Sequence, residues 1–207
     1  MLPKLLQHGG APMWVLLILS AVAFGIFVER LLYYHRIQIN INEFLNGIRT
    51  VLKRENVVEA ISICDATPGP VPRIVKTAIL MKDQPRERIR EAIQAATLTE
   101  LPRLHRRIPG LATIAQIGPL MGLLGTILGF MEVFARLEQA GLYASINQLS
   151  SGIWQALTCM AFGLGLGTIA YAAYNHLVVR INIIMLDMER AGIEILNIMT
   201  ETISSRQ

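Results

Sequence analysis

The chain has 207 residues, of which 53% are hydrophobic and only 16% charged, with a formal net charge of +4 and a mean hydropathy of +0.46. Such a composition argues against a single water-soluble core, and the apolar residues are segregated: no Asp, Glu, Lys or Arg occurs between Lys4 and Glu29, from Ile108 to Met131, or from Gln139 to Val179. The positive charges form no basic stripe interleaved with aromatic residues, so nucleic acid is not a predicted partner.

A crossing of roughly 30 Å of hydrocarbon takes about 20 consecutive, mostly apolar residues, so the first run is one crossing. Ala21-Val22-Ala23 loosely resembles a signal-peptide cleavage site. A retained anchor is nevertheless expected, because only Lys4 precedes the run and it continues through Phe27 and Val28 to Glu29-Arg30. Residues 1–34 are therefore read as an amino-terminal segment followed by transmembrane helix 1.

Residues 35–107 carry 13 Lys or Arg, against only Lys4 before the first span and only Arg136 between the second and third. Positive residues concentrate on the cytoplasmic side of short loops, so this segment is predicted to be a cytoplasmic helical loop, with the amino terminus periplasmic and the carboxyl terminus cytoplasmic. It reads as short amphipathic helices between proline turns. Asn56 with Glu59 forms a capping pair opening a helix through Ile61 and Ile63, which Thr67-Pro68-Gly69-Pro70 stops. Asp83-Gln84-Pro85 starts the next helix, on which Ile89, Ala92, Ala95 and Ala96 share a face. The cluster Arg103 to Arg107 then meets the membrane as a solvated collar that attracts anionic lipid headgroups.

The second charge-free run is one crossing, and the third is 41 residues long, about twice one crossing, so it must include a turn and a protruding stretch. Residues 108–179 are read as transmembrane helices 2 and 3. Beyond them, 180–207 is a predicted cytoplasmic helix on which Ile181, Met185, Met188, Gly192, Ile195 and Met199 recur at spacings of 4, 3, 4, 3 and 4. This seam needs a partner, either the Asn42 to Ala66 helices of the same chain or a neighbouring copy.

Within the spans, Gly118, Gly122, Gly125 and Gly129 fall within about 60° of one another on helix 2, and Gly163 and Gly167 make a second small-residue pair on helix 3. Glycine stripes let backbones approach where lipid supplies no hydrophobic drive, so all six are predicted packing residues. Thr126 lies about 80° from Gly118 at the edge of the stripe, and Ser151, Gln155, Thr158 and Cys159 cluster on one face of helix 3. Single hydroxyls in spans most often bond to helix carbonyls; it is their grouping that suggests a wet path. No Asp, Glu, Lys or Arg occupies the middle of any span, Glu29, Glu132 and Glu138 lying near the ends. Thr and Gln cannot carry a proton near neutral pH, so a proton path here needs a carboxylate from another chain.

Leu111 to Phe134, LATIAQIGPLMGLLGTILGFMEVF, resembles the second span of ExbB and TolQ proteins in its Pro-x-x-Gly-Leu-x-Gly-Thr core. Glu29-Arg30, the stretch LKRENVVEAISICDATPGP at 52–70 and Tyr174-Asn175 are also similar to ExbB-type sequences. Together these matches cover most of the chain, and the resemblance is to the MotA/TolQ/ExbB proton channel family, chiefly its ExbB/TolQ type. It implies an all-α integral membrane fold: three transmembrane helices with extended cytoplasmic helices, assembled as an oligomeric ring in the bacterial inner membrane. It further implies a homopentamer around an ExbD/TolR-like single-span partner whose Asp carries the proton, with energy passing through a TonB/TolA-like protein to the outer membrane. Carried over by position, Thr126 corresponds to the pore-facing threonine, and Thr126, Gln155 and Thr158 are the expected ion-path residues. Span three departs from the family pattern: Gln155 stands where Glu is usual, Met160 where a pore threonine is usual, and Ile169 where many have Pro.

Two functions follow from these residues: a subunit of a proton-driven motor, or a non-conducting membrane scaffold that keeps the ring fold. The chain has no paired nucleophile and base, no Cys/His metal spacing and no phosphate loop, so neither an enzyme, a metal site nor a cofactor is expected. Cys64 and Cys159 fall in different kinds of segment and are not expected to pair. His8, His35, His105 and His176 lie near span ends as interfacial residues.

Overall fold

The computed structural model describes residues 10–140 and 146–204, with side chains described over 11–139 and 150–200. Among these residues the regular elements are all α-helices: α1 (Gly10–Ile37), α2 (Ile41–Lys53), α3 (Val57–Ala66), α4 (Pro70–Leu80), α5 (Arg86–His105), α6 (Ile108–Ala140) and α7 (Ile146–Ser204). Three helical stretches, within Ala11–Lys53, Arg86–Gln139 and Ser150–Thr200, are long and apolar enough to cross a membrane. The turn predicted between the second and third crossings falls around residues 141–145, outside the described residues, as do Lys4 and His8. The chain divides into two compact units, Met1–Glu29 with Arg107–Leu177 and Arg30–Arg106 with Val178–Gln207.

The first unit packs the apolar parts of α1, α6 and α7. Its outward side chains are large and apolar, among them Trp14, Ile18 and Phe24 on α1, Leu120, Met131 and Phe134 on α6, and Trp154 and Ile169 on α7. Leaving such side chains in water forfeits about 1.5–3 kcal/mol each, and a bilayer removes that cost. The apolar exterior and the charge-free runs thus have one cause.

The second unit is built as a water-soluble helical protein is built. Asn56 and Glu59 cap α3 reciprocally: Glu59 N donates to Asn56 Oδ1 at 3.2 Å and Asn56 Nδ2 to Glu59 Oε2 at 2.8 Å. The helix ends at Ala66, before Thr67-Pro68-Gly69-Pro70, but this segment also begins a helix that the proline reading does not foresee. Gly69 has φ +126, which a side chain would resist, and a Cβ there would stand 3.0 Å from Ile37 O. Pro70 then enters α4 at its first position, where a missing N–H costs nothing. The available signal was the helical spacing of Val71, Ile74, Val75, Ala78 and Ile79, all buried.

Helix α5 begins after Pro85 and buries Ile89, Ile93, Glu100 and Leu104. Ala95, predicted on its inner face, is exposed; the face runs instead through Ile93 and the half-buried Ala96. Glu100 is buried because two guanidiniums meet it, Arg73 of α4 at 2.7 Å and Arg103 one turn along at 2.8 Å. Tyr34 at the end of α1 donates its hydroxyl to Leu104 O at 2.8 Å. The α7 seam is buried within this unit at Ile181, Met188, Gly192, Ile195 and Met199, with Met185 half-buried. Its neighbour at Gly192 is α5: a Cβ there would stand 2.9 Å from Ile93 Cγ2, and Arg86 of α5 bonds Asn197 at 3.3 Å.

Candidate functional site

Helices α6 and α7 cross antiparallel in the first unit, and their contact is backbone against backbone. A Cβ added at Gly118 would lie 3.2 Å from Gly163 O and Gly167 N, and one at Gly122 would lie 3.1 Å from Cys159 O and Gly163 Cα. Built from the other side, a Cβ at Gly163 would fall 2.7 Å from Gly118 O and Gly122 Cα, and one at Gly167 would fall 2.6 Å from Pro119 Cγ. A Cβ at Gly129 would lie 2.9 Å from Ala156 Cβ, and one at Gly125 would meet Cys159 Sγ. The six glycines thus lie along one crossing, and Pro119 packs within it. On the opposing face the sequence reading marks Gly163 and Gly167 but not Gly152 and Ala156, which recur with them at helical spacings.

Thr126 stands at the edge of this crossing, half-buried. Its hydroxyl has two carbonyls in reach, Gly122 O at 2.9 Å on its own helix and Ala156 O at 3.2 Å on α7. The side chain therefore bridges the two helices, next to Gln155 in sequence. Gln155 and Thr158 lie to one side of Gly163, about 80° and 140° round α7, and both are half-buried. Cys159, grouped with them in the sequence, is instead buried on the glycine face at 1% exposure. Among the described residues no hydrogen bond joins Thr126, Gln155 and Thr158 to one another.

At the polar end of the unit, Arg107 donates to Glu29, tying the last turn of the first crossing to the residue before α6. Arg107 has φ +68, a left-handed joint between α5 and α6 that a non-glycine residue holds at a modest cost. Among the described residues no group of three or more His, Cys, Asp or Glu could hold a metal ion.

Residues 66–190 match the model of the MotA/TolQ/ExbB proton channel family. An ExbB homolog of Methanothermobacter thermautotrophicus is 23% identical over 180 residues, which are 86% of this chain but 63% of that protein, so the chain spans less than two thirds of its length. An ExbB-like protein of Synechocystis is 32% identical over 158 residues, 75% of each chain. The Tol-Pal system protein TolQ of Haemophilus influenzae is 37% identical over 108 residues, 51% of this chain and 47% of that one. With the family model covering well over half of its length and the glycine-packed helix pair inside the matched segment, the chain is a membrane protein of the MotA/TolQ/ExbB proton channel family.

Proposed function

We propose that the chain is the ring-forming subunit of an inner-membrane motor driven by the proton-motive force. It conducts protons with an ExbD/TolR-like single-span partner and energises a TonB- or Tol-dependent process at the outer membrane. The observation that carries this reading is a glycine-packed pair of helices with a polar flank, Thr126, Gln155 and Thr158, that its own chain covers only in part. The spans contain no Asp, Glu, Lys or Arg at mid-depth, so the flank serves a carboxylate brought by another helix. In this reading five copies form the ring, the amino terminus is periplasmic, 35–107 and 180–207 are cytoplasmic, and Thr126 lines the path while the six glycines hold its wall.

Reconstitution with the single-span partner in liposomes under an imposed potential tests the proposal. Lumenal acidification that requires the partner's carboxylate is expected. Thr126→Val is expected to abolish it with assembly preserved, since the hydroxyl goes and the volume stays; wild-type flux in that variant assigns Thr126 to packing alone. The replacement of the family's usual Glu and Thr by Gln155 and Met160 favours one second reading, a ring scaffold that does not conduct. Silence of the reconstituted pair in both proton and sodium gradients would select it.

A further inference from the structure

We infer that the second unit carries a phospholipid site at the membrane boundary, in a cleft of about 300 Å³ between the end of α1 and α7. Its walls are Leu31, Leu32, Ile183 and Ile184, with Tyr34, His35, Gln38, Arg180 and Asp187 completing the lining. Leu31 comes two residues after Glu29 and Arg180 one after Val179, so the cleft begins where both charge-free runs end. Tyr34 fixes one wall, because its hydroxyl is committed to Leu104 O. Leu31, Leu32 and Ile183 are exposed there, a surface suited to the first carbons of an acyl chain.

Charge selects the occupant. Arg180 is half-buried, and no described residue pairs with its guanidinium, whereas Arg73, Arg103 and Arg107 each hold a carboxylate. A guanidinium on an apolar wall matches the two free oxygens of a phosphodiester, which it can bind bidentately. Helix side chains lean toward the amino-terminal end, which on α7 is the direction of the span, so Arg180 is directed to headgroup depth. Asp187 follows two turns later, about 10 Å along the axis. It accepts from headgroup hydroxyls and disfavours a second phosphate. The occupant is one glycerophospholipid per subunit, its phosphate on Arg180 and its chain along Leu31, Leu32 and Ile183. This depends on where the spans end and not on conduction, so failed acidification in liposomes leaves it standing.

The test uses full-length protein extracted as its native assembly, delipidated and titrated with dioleoylphosphatidylglycerol under native mass spectrometry. One tightly held lipid per subunit is expected, weakened at least tenfold by Arg180→Gln, less by Arg180→Lys, and not at all by Arg36→Gln outside the cleft. Inorganic phosphate at the same concentration should not displace it. Wild-type binding by Arg180→Gln with helicity intact overturns the site. Equal weakening by Arg36→Gln does so too, as that is diffuse attraction to a basic collar. Displacement by phosphate alone removes the role of the apolar wall, and a cleft that takes up no lipid because a neighbouring copy covers it ends the proposal.

Discussion

The α6–α7 crossing of the first unit and the α4–α5 packing of the second hold helices together by opposite means. Between α4 and α5 the contact is made by large side chains, Ile74, Ile79, Ile89 and Ile93, all buried, with the Arg73–Glu100–Arg103 cluster beside them. Between α6 and α7 it is made by the absence of side chains, six glycines admitting backbone to within van der Waals contact. The solvent accounts for the difference. In water, burying an isoleucine is itself the driving force. In lipid the tails are as apolar as isoleucine, so only closer contact than lipid can make is favourable, and glycine permits it.

That contrast is broken most severely by removing a side chain where side chains do the packing. Ile74→Ala, at a position with no exposed surface, should destabilise the second unit by about 2–5 kcal/mol. Hydrogen exchange across α4 and α5 checks this; protection there should fall while that of α6 is unchanged. Adding a side chain where none is tolerated is the converse. Gly163→Ala places a methyl 2.7 Å from backbone atoms that cannot yield, and should weaken the crossing by about 1–3 kcal/mol, seen as a lower melting temperature of the detergent-extracted protein. Gly165→Ala is the control on the same helix, because nothing lies within 4 Å of its Cβ position, and it should melt as the native protein does. Equal loss in both would mean that close approach at Gly163 does not set the cost, since the higher helix propensity of alanine favours both variants alike.

Glu100→Gln is expected to act more weakly. It keeps the shape and a hydrogen bond but removes the charge that two arginines share. Both arginines are about half-exposed and can turn to water, so the loss should stay near 1 kcal/mol. Chemical denaturation of the variant at two salt concentrations checks it; a cost that vanishes at high salt identifies the charge as its source.

How much of this was legible depended on which interaction set the feature. The charge-free runs, the Asn56–Glu59 cap and the α7 seam are local patterns and could be read. The seam's partner could not, because whether Gly192 meets Ile93 or another helix is decided by tertiary packing alone. Helix α4 was overlooked because its prolines read as a stop, although proline at the first position of a helix is equally a start. In the candidate site the glycine stripe was visible by spacing. The parting of Cys159 from Gln155 and Thr158 was not, since about 40° and 100° of rotation separate side chains that one face of a helical wheel places together.

Cys64 offers the smallest effect and a sensitive one. It is buried on α3, and burial, helped by neighbouring Asp65 and opposed by Lys76, pushes its thiol up from 9.0 to about 11. The thiolate is the reactive form, so at pH 7 its fraction drops from about one in a hundred to about one in ten thousand. Alkylation by a water-soluble maleimide should therefore be roughly a hundredfold slower than at an ordinary thiol, before any steric shielding. Because the folded value lies above the unfolded one, the folded state is favoured by the neutral thiol. That contribution is fully present below pH 9 and is lost as pH rises from about 9 towards 11. Ile74→Ala acts here too, since loosening the α3–α4 packing should restore reactivity at Cys64 without touching the glycine crossing. Fast labelling of Cys64 in the native protein at pH 7 would show that α3 opens readily, and that side-chain burial outside the spans is weaker than the fold implies.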